Sequence, residues 1–173
     1  MPQMHLFLVR HGAAGSRHKW NGPDRLRPLS VKGERQAKAL VPVVLGQLAS
    51  GVPLSAAQAG PPGRSITRVL SSPYLRCIQT VEPLAHELGL NVEPARPLAE
   101  GAKPRSVTTV VRGLHDPAVL CSHGDVVPLI LETLAREDGF ELPAAYLCQK
   151  GSTWHLVGDD DRYMEAHYIP PPA

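Results

Sequence analysis

Short apolar runs alternate along the chain with longer stretches in which apolar residues recur every three or four positions. That alternation is the pattern of a parallel β-sheet with crossover helices. Leu6-Phe7-Leu8-Val9 reads as the first strand. Ser30 is a good N-cap for a helix patterned through Ala37, Leu40, Val43 and Val44, and Pro42 inside it predicts a kink or a late start. Gly51 to Ser65, rich in Gly, Pro and Ala, reads as an exposed loop or flap. Thr67 to Ser71 reads as a second strand. Ser72-Pro73 then predicts an N-cap with proline at the first helical position, opening a helix to about Leu88 that Gly89 ends. There follow a brief strand at Asn91 to Glu93, a helix from about Arg105 to Leu114, and a buried strand Ala118 to Cys121. A helix over Asp125 to Arg136 and closing strands at Gly151 to Val157 and Tyr163 to His167 complete the pattern. Pro170-Pro171-Pro172 reads as a frayed tail. With no internal repeat or linker, residues 1–173 read as one α/β domain, a three-layer α/β/α sandwich around a mostly parallel central sheet.

Composition narrows the function more than the fold. The formal charge is +2 and there is no block of consecutive Lys or Arg, which argues against nucleic-acid binding. No apolar stretch is long enough for a signal peptide or a membrane span, so no membrane partner is expected and a cytoplasmic location is the default. The three cysteines, Cys77, Cys121 and Cys148, have no CxxC spacing and read as apolar residues of a reducing compartment, not as disulfides.

The chemistry-bearing residues gather at predicted strand ends. Arg10-His11-Gly12 follows the first strand, Arg76 falls in the first turn of the helix after the second, and Ser122-His123-Gly124 follows a later buried strand. Ligands of open α/β sheets collect outside the carboxyl ends of parallel strands. A first-turn side chain leans back over that edge, where the positive end of its helix favours an anion. Glycines beside both histidines (Gly12, Gly124) would let backbone approach a ligand. Two guanidinium groups and two imidazoles, without a carboxylate cluster for a metal, suit a phosphoryl group. Adjacent cations should keep His11 neutral and nucleophilic.

Several stretches carry a family resemblance: Leu8-Val9-Arg10-His11-Gly12, Arg27-Pro28-Leu29-Ser30 with Gly33 and Gln36-Ala37, Ser71 to Thr80, and Ser122-His123-Gly124. In these the sequence resembles the histidine phosphatase superfamily, the phosphoglycerate-mutase-like proteins of branch 1. Gln79 to Ala85 and Lys150 to Trp154 are similar to the histidine-phosphatase domains attached to some bacterial Nudix hydrolases. The resemblance implies a phosphoglycerate-mutase-like fold and a hydrolase that works without metal or other cofactor. It implies His11 as nucleophile, carrying a transient phosphohistidine, with Arg10, Arg76 and His123 clamping the phosphoryl oxygens. Glu100 would be the general acid on the leaving oxygen. Arg10, Gly12, Arg17, Arg76, His123 and Gly124 are the expected substrate contacts. Inorganic phosphate or sulfate would occupy the same site. Phosphorylated small molecules, nucleotides among them, are the expected substrates; a protein phosphohistidine, a mutase reaction and a non-catalytic phosphate-binding domain are the alternatives. A cysteine phosphatase needs Arg six positions after its Cys, and Pro83, Val127 and Trp154 stand there instead.

Overall fold

The computed structural model describes residues 3–50 and 65–173. The elements in chain order are β1 (Met4–Arg10), α1 (Val31–Ser50), β2 (Arg68–Ser71), α2 (Leu75–Glu87) and β3 (Val92–Pro94). Then come α3 (Pro104–Arg112), β4 (Ala118–Ser122), α4 (Val126–Asp138), β5 (Thr153–Gly158) and β6 (Tyr163–Ile169). Short 3-10 turns lie at Asp24–Leu26 and Arg96–Leu98. The six strands form one sheet in the order β3-β2-β4-β1-β5-β6, parallel from β3 to β1 and closed by the antiparallel β5 and β6. The expected flap lies outside the described residues except for Ser65.

Strand periodicity divides the core into two layers. Phe7, Val9, Val69, Val119 and Cys121 face one side and pack with Leu40 and Val44 of α1 and Val81 and Leu84 of α2. Leu6, Leu8, Leu70 and Leu120 face the other, against Val107 and Val111 of α3 and Val127, Ile130 and Leu134 of α4. Successive strand side chains alternate in this way because the pleat has a period of two. The helices therefore cover both faces, as the sequence pattern requires for a parallel sheet.

Four local expectations change in detail. Helix α1 starts directly after Ser30, whose Oγ accepts the Gly33 N–H at 3.3 Å, so there is no late start. It runs on across Pro42, an exposed residue, so the carbonyl that proline leaves without a donor is on the solvent side. Helix α2 begins at Leu75 instead of Pro73: the Ser72 hydroxyl is engaged by His123 and accepts the Tyr74 N–H at 3.3 Å, and Pro73-Tyr74 is a bend. The tail does not fray: Pro171 and Pro172 are half-buried and line a cleft with Lys32 and Arg35 of α1. Cys77 and Cys121 are buried free thiols, and Cys148 is partly covered.

Beneath the sheet, His5 Nδ1 lies 2.9 Å from His155 Nε2, and His155 stacks on Phe7 with ring centroids 4.3 Å apart. Both histidines are buried, and His155 Nδ1 has no partner among the described residues. Burial lowers the pKa of His5; burial first, then the charges of His5 and His167, lowers that of His155 to about 3. An ionisation depressed in the folded state stabilises the fold above the ordinary value near 6.5, and that contribution is lost as pH falls from there toward 3. The urea midpoint should therefore be clearly lower at pH 4.5 than at pH 7.5, and the drop should shrink in His155→Phe. Equal midpoints at the two pH values in the unmodified protein would contradict this account.

Candidate active site

The site is built on the carboxyl edge of β1, β2 and β4. Parallel pairing places Arg10 beside Ser122 and Ser71 beside Cys121, so the residues that follow these strands meet at one edge. His11 N–H donates to the Ser122 carbonyl at 3.0 Å and Arg10 N–H to the Ser152 carbonyl at 3.0 Å, which fixes the nucleophile loop from both sides.

His11 is 5% exposed, and its Nδ1 lies 2.8 Å from the Gly12 carbonyl oxygen. A carbonyl only accepts, so Nδ1 carries the proton and Nε2 keeps its lone pair, which accepts the Arg76 Nε–H at 3.4 Å. Burial is the main cause that lowers the His11 pKa to about 3; its hydrogen bond to Gly12 opposes this, and Arg76, His123 and Arg10 reinforce it. The neighbouring cations do lower the His11 pKa as expected, and desolvation is the larger cause.

Arg76 projects from the first turn of α2 and is fully buried. Its Nε lies 3.4 Å from His11 Nε2. Nη1 donates to the Asp24 carbonyl at 3.0 Å, and Nη2 to Asp24 Oδ2 at 3.1 Å and to Glu100 Oε1 at 2.7 Å. The His123 ring meets His11 edge-on at 5.5 Å. Its Nε2 pairs with Ser72 Oγ at 2.8 Å, and its Nδ1 lies 3.3 Å from Glu100 Oε1. Arg17, largely exposed, reaches the same oxygen at 3.4 Å and Asp24 at 3.5 Å. One carboxylate oxygen of Glu100 thus sits among Arg76, Arg17 and His123, which is the pattern of donors a phosphoryl oxygen would meet. Arg10 donates to the Cys148 carbonyl, and its Nε is buried without a partner among the described residues.

The two glycines act differently from expectation. The Gly12 N–H is taken by Thr80 Oγ1 at 3.0 Å, and a Cβ on Gly12 would press on Gly33 and Gln36 at 3.2 Å. A Cβ on Gly124 would stand 2.7 Å from Arg10 Cζ, so this glycine makes room for the guanidinium. Their smallness serves packing around the site more than backbone contact with a ligand.

An open cleft of about 550 Å³ joins Arg10, His11, Arg17, Arg76, Glu100 and Gly124. Asp24, Ser72 and Lys150 are neighbours that the sequence reading did not select. Ser72 stood in a quoted motif but was read as a cap, and Asp24 lies in a loop with no periodicity to mark it. Among the described residues no group of three or more His, Cys, Asp or Glu is placed to hold a metal ion. No helix among them is long and apolar enough to cross a membrane.

The sequence model of the histidine phosphatase superfamily (branch 1) matches residues 6–103. The chain belongs to that superfamily. Among curated relatives, an 8-oxo-(d)GTP phosphatase of Mycolicibacterium smegmatis is 32% identical over 96% of this chain. The chain spans about half the length of that relative, 48%. Solved structures of the same fold include the protein histidine phosphatase SixA complexed with tungstate, with TM-score 0.68 and 21% identity over 94% of this chain and 96% of that one. Phosphoglycerate mutase from Plasmodium falciparum has TM-score 0.59 and 18% identity over 98% of this chain and 91% of that one. The expected phosphoglycerate-mutase-like architecture is thereby shown.

Proposed function

We propose that this member of the superfamily is a phosphatase that passes a phosphoryl group to His11 Nε2 and from there to water. The observation that carries the reading is the His11 ring itself. It is buried and neutral, its Nδ1–H donates to the Gly12 carbonyl, and its Nε2 lone pair faces Arg76. A histidine so held is a ready nucleophile without a partner base.

In this reading Arg10, Arg76 and His123 take the non-bridging oxygens and spread the charge of the transition state. The docking phosphoryl group takes over the donors that Glu100 Oε1 now occupies. Released from Arg76 and His123, the Glu100 carboxylate takes a proton from the monoanionic phosphoryl group or from solvent. It passes that proton to the leaving oxygen as general acid, and later receives one from the attacking water. Arg17 contributes at the rim, where it already pairs with Glu100 and Asp24. Nucleotides and other small phosphorylated metabolites are the favoured substrates, supported by the named activity of the Mycolicibacterium relative. Phosphate and its oxyanion analogues are the expected competitive ligands, as the tungstate complex of the SixA neighbour suggests.

The test is phosphate release across a panel of phosphorylated metabolites, run with and without EDTA. Turnover of at least one panel member, undiminished by chelator, is the expected result. A requirement for added divalent metal would overturn the histidine mechanism.

A further inference from the structure

Lys150 lines the same cleft as the nucleophile, and among the described residues no carboxylate pairs with it. Its backbone is fixed by the residues that fix His11. The Gly151 N–H donates to the Arg10 and His11 carbonyls at 3.1 and 2.9 Å, and Gln36 Nε2 donates to the Lys150 carbonyl at 3.4 Å. Gly151 adopts a φ of +83°, and the Gln36 side chain lies 2.9 Å from where a Cβ would project, so this turn requires glycine. The Lys150 backbone is therefore held as closely as the nucleophile loop itself, while its side chain is exposed.

Its side chain lines two adjoining clefts: the phosphoryl cleft, and a second one of about 780 Å³ walled by Lys32 and Arg35 of α1, Gln149 and the terminal prolines. Partial burial, then the charges of Arg10, Arg27, Arg76 and Arg17, hold the Lys150 pKa below the usual lysine range. Asp24 is engaged by Arg17, Arg27 and Arg76, and Glu100 by Arg17 and Arg76. Among the described residues no carboxylate forms an ion pair with Lys150, Lys32 or Arg35. Asp125 lines the first cleft and the Ala173 carboxyl group the second, yet neither forms an ion pair with these cations. Like charges gathered without a paired counter-charge repel one another, and a bound anion relieves that repulsion. One phosphoryl group is already served by Arg10, Arg76 and His123, so these further cations call for a second anion.

We propose that Lys150, continued by Lys32 and Arg35, forms a subsite for a phosphate carried by the leaving group, so that phosphoanhydrides such as nucleoside di- and triphosphates are preferred over simple monoesters. This rests on the phosphatase reading above. His11 Nε2 forms the N–P bond to the terminal phosphorus while the bridging P–O bond breaks, and the electron pair stays on the bridging oxygen. The leaving group departs as a phosphate anion whose charge Lys150 offsets, so it needs no proton from Glu100. Water then attacks phosphorus, the P–N electron pair returns to Nε2, and the released phosphate keeps the oxygen and protons of that water.

The experiment compares kcat/KM for a nucleoside diphosphate, inorganic pyrophosphate and p-nitrophenyl phosphate in the unmodified protein, Lys150→Ala, Lys150→Arg and Lys32→Ala/Arg35→Ala. The unmodified protein should prefer an anhydride. Lys150→Ala should cut anhydride turnover about 10–100-fold, chiefly through KM, the loss of one charge-assisted contact, and Lys150→Arg should restore most of it. The fall on p-nitrophenyl phosphate should be several times smaller. The double variant should weaken the nucleoside diphosphate more than pyrophosphate if the nucleotide extends along α1; equal weakening assigns the subsite to the inorganic anion alone. Equal losses on anhydride and monoester in Lys150→Ala, or none on either, would overturn the subsite and leave the phosphatase reading standing. Absence of His11-dependent hydrolysis of all three substrates would instead remove the phosphatase reading.

Discussion

Replacing His11 with alanine should reduce phosphate release to background, a loss on the order of 10⁴-fold or more in kcat, with no acid-labile phosphoenzyme after rapid quench. The size follows from the site's construction. No other described side chain presents a free ring nitrogen to Arg76: both nitrogens of His123 are engaged, one by Ser72 and the other by Glu100. Arg10, Arg76 and His123 would still bind a phosphoryl group, so His11→Ala should retain affinity for phosphate or tungstate while losing turnover. His11→Asn, whose amide can still donate to the Gly12 carbonyl, controls for loop collapse. Binding without turnover in both variants supports the nucleophile assignment. Residual hydrolysis within tenfold of the unmodified protein would sink it.

Arg76→Lys should lower kcat about 10²–10³-fold, the scale for losing a preorganised donor to developing negative charge, and Arg76→Ala should lower it at least as far. Charge alone does not replace this arginine. Its planar fork reaches Asp24, Glu100 and the vicinity of His11 Nε2 at once, which a single ammonium cannot reproduce. Arg76 is fully buried, whereas the side chains of Asp24 and Glu100 are about one-third exposed, 32% and 33%. Water can therefore take over part of what the carboxylates lose, and the stability cost should stay near 1–3 kcal/mol instead of that of a wholly buried broken pair. Thermal unfolding in parallel with steady-state kinetics separates the two effects. A kcat within threefold of normal in Arg76→Lys would show that a point charge suffices.

The fold and the heart of the site were legible for the same reason. Strand ends are marked by apolar runs, and the polar residues just past Val9, Ser71 and Cys121 must fall on one edge once β1, β2 and β4 pair in parallel. Arg76 was placeable because its helix begins close after β2, even though the start lies two residues later than the serine-proline signal suggested. Glu100 and Arg17 do reach the cleft, but their meeting depends on loop paths that no periodicity encodes. Asp24 and Lys150 stayed hidden on that account. Each lies outside the periodic helices and strands, and each reaches the site through partners distant in sequence: Asp24 through Arg76, and the segment of Lys150 through Arg10 and His11. Gly124 lines the cleft, and its smallness also makes room for the Arg10 guanidinium, a long-range neighbour that the sequence does not reveal.

The pairing of β1 has a consequence in time. This strand lies between β4 and β5, so both of its hydrogen-bonding edges wait for residues beyond 117, and the turn that steadies Arg10 and His11 comes from residues 148–152. A chain growing from its N-terminus makes the nucleophile first and its support almost last. Partly synthesised chains therefore expose an apolar strand with two unsatisfied edges, which favours slow, late closure and a hazard of misassociation until then. Competence for chemistry arrives only when residues 151–158 have joined β1, so the onset of catalysis during refolding should mark the completion of the sheet.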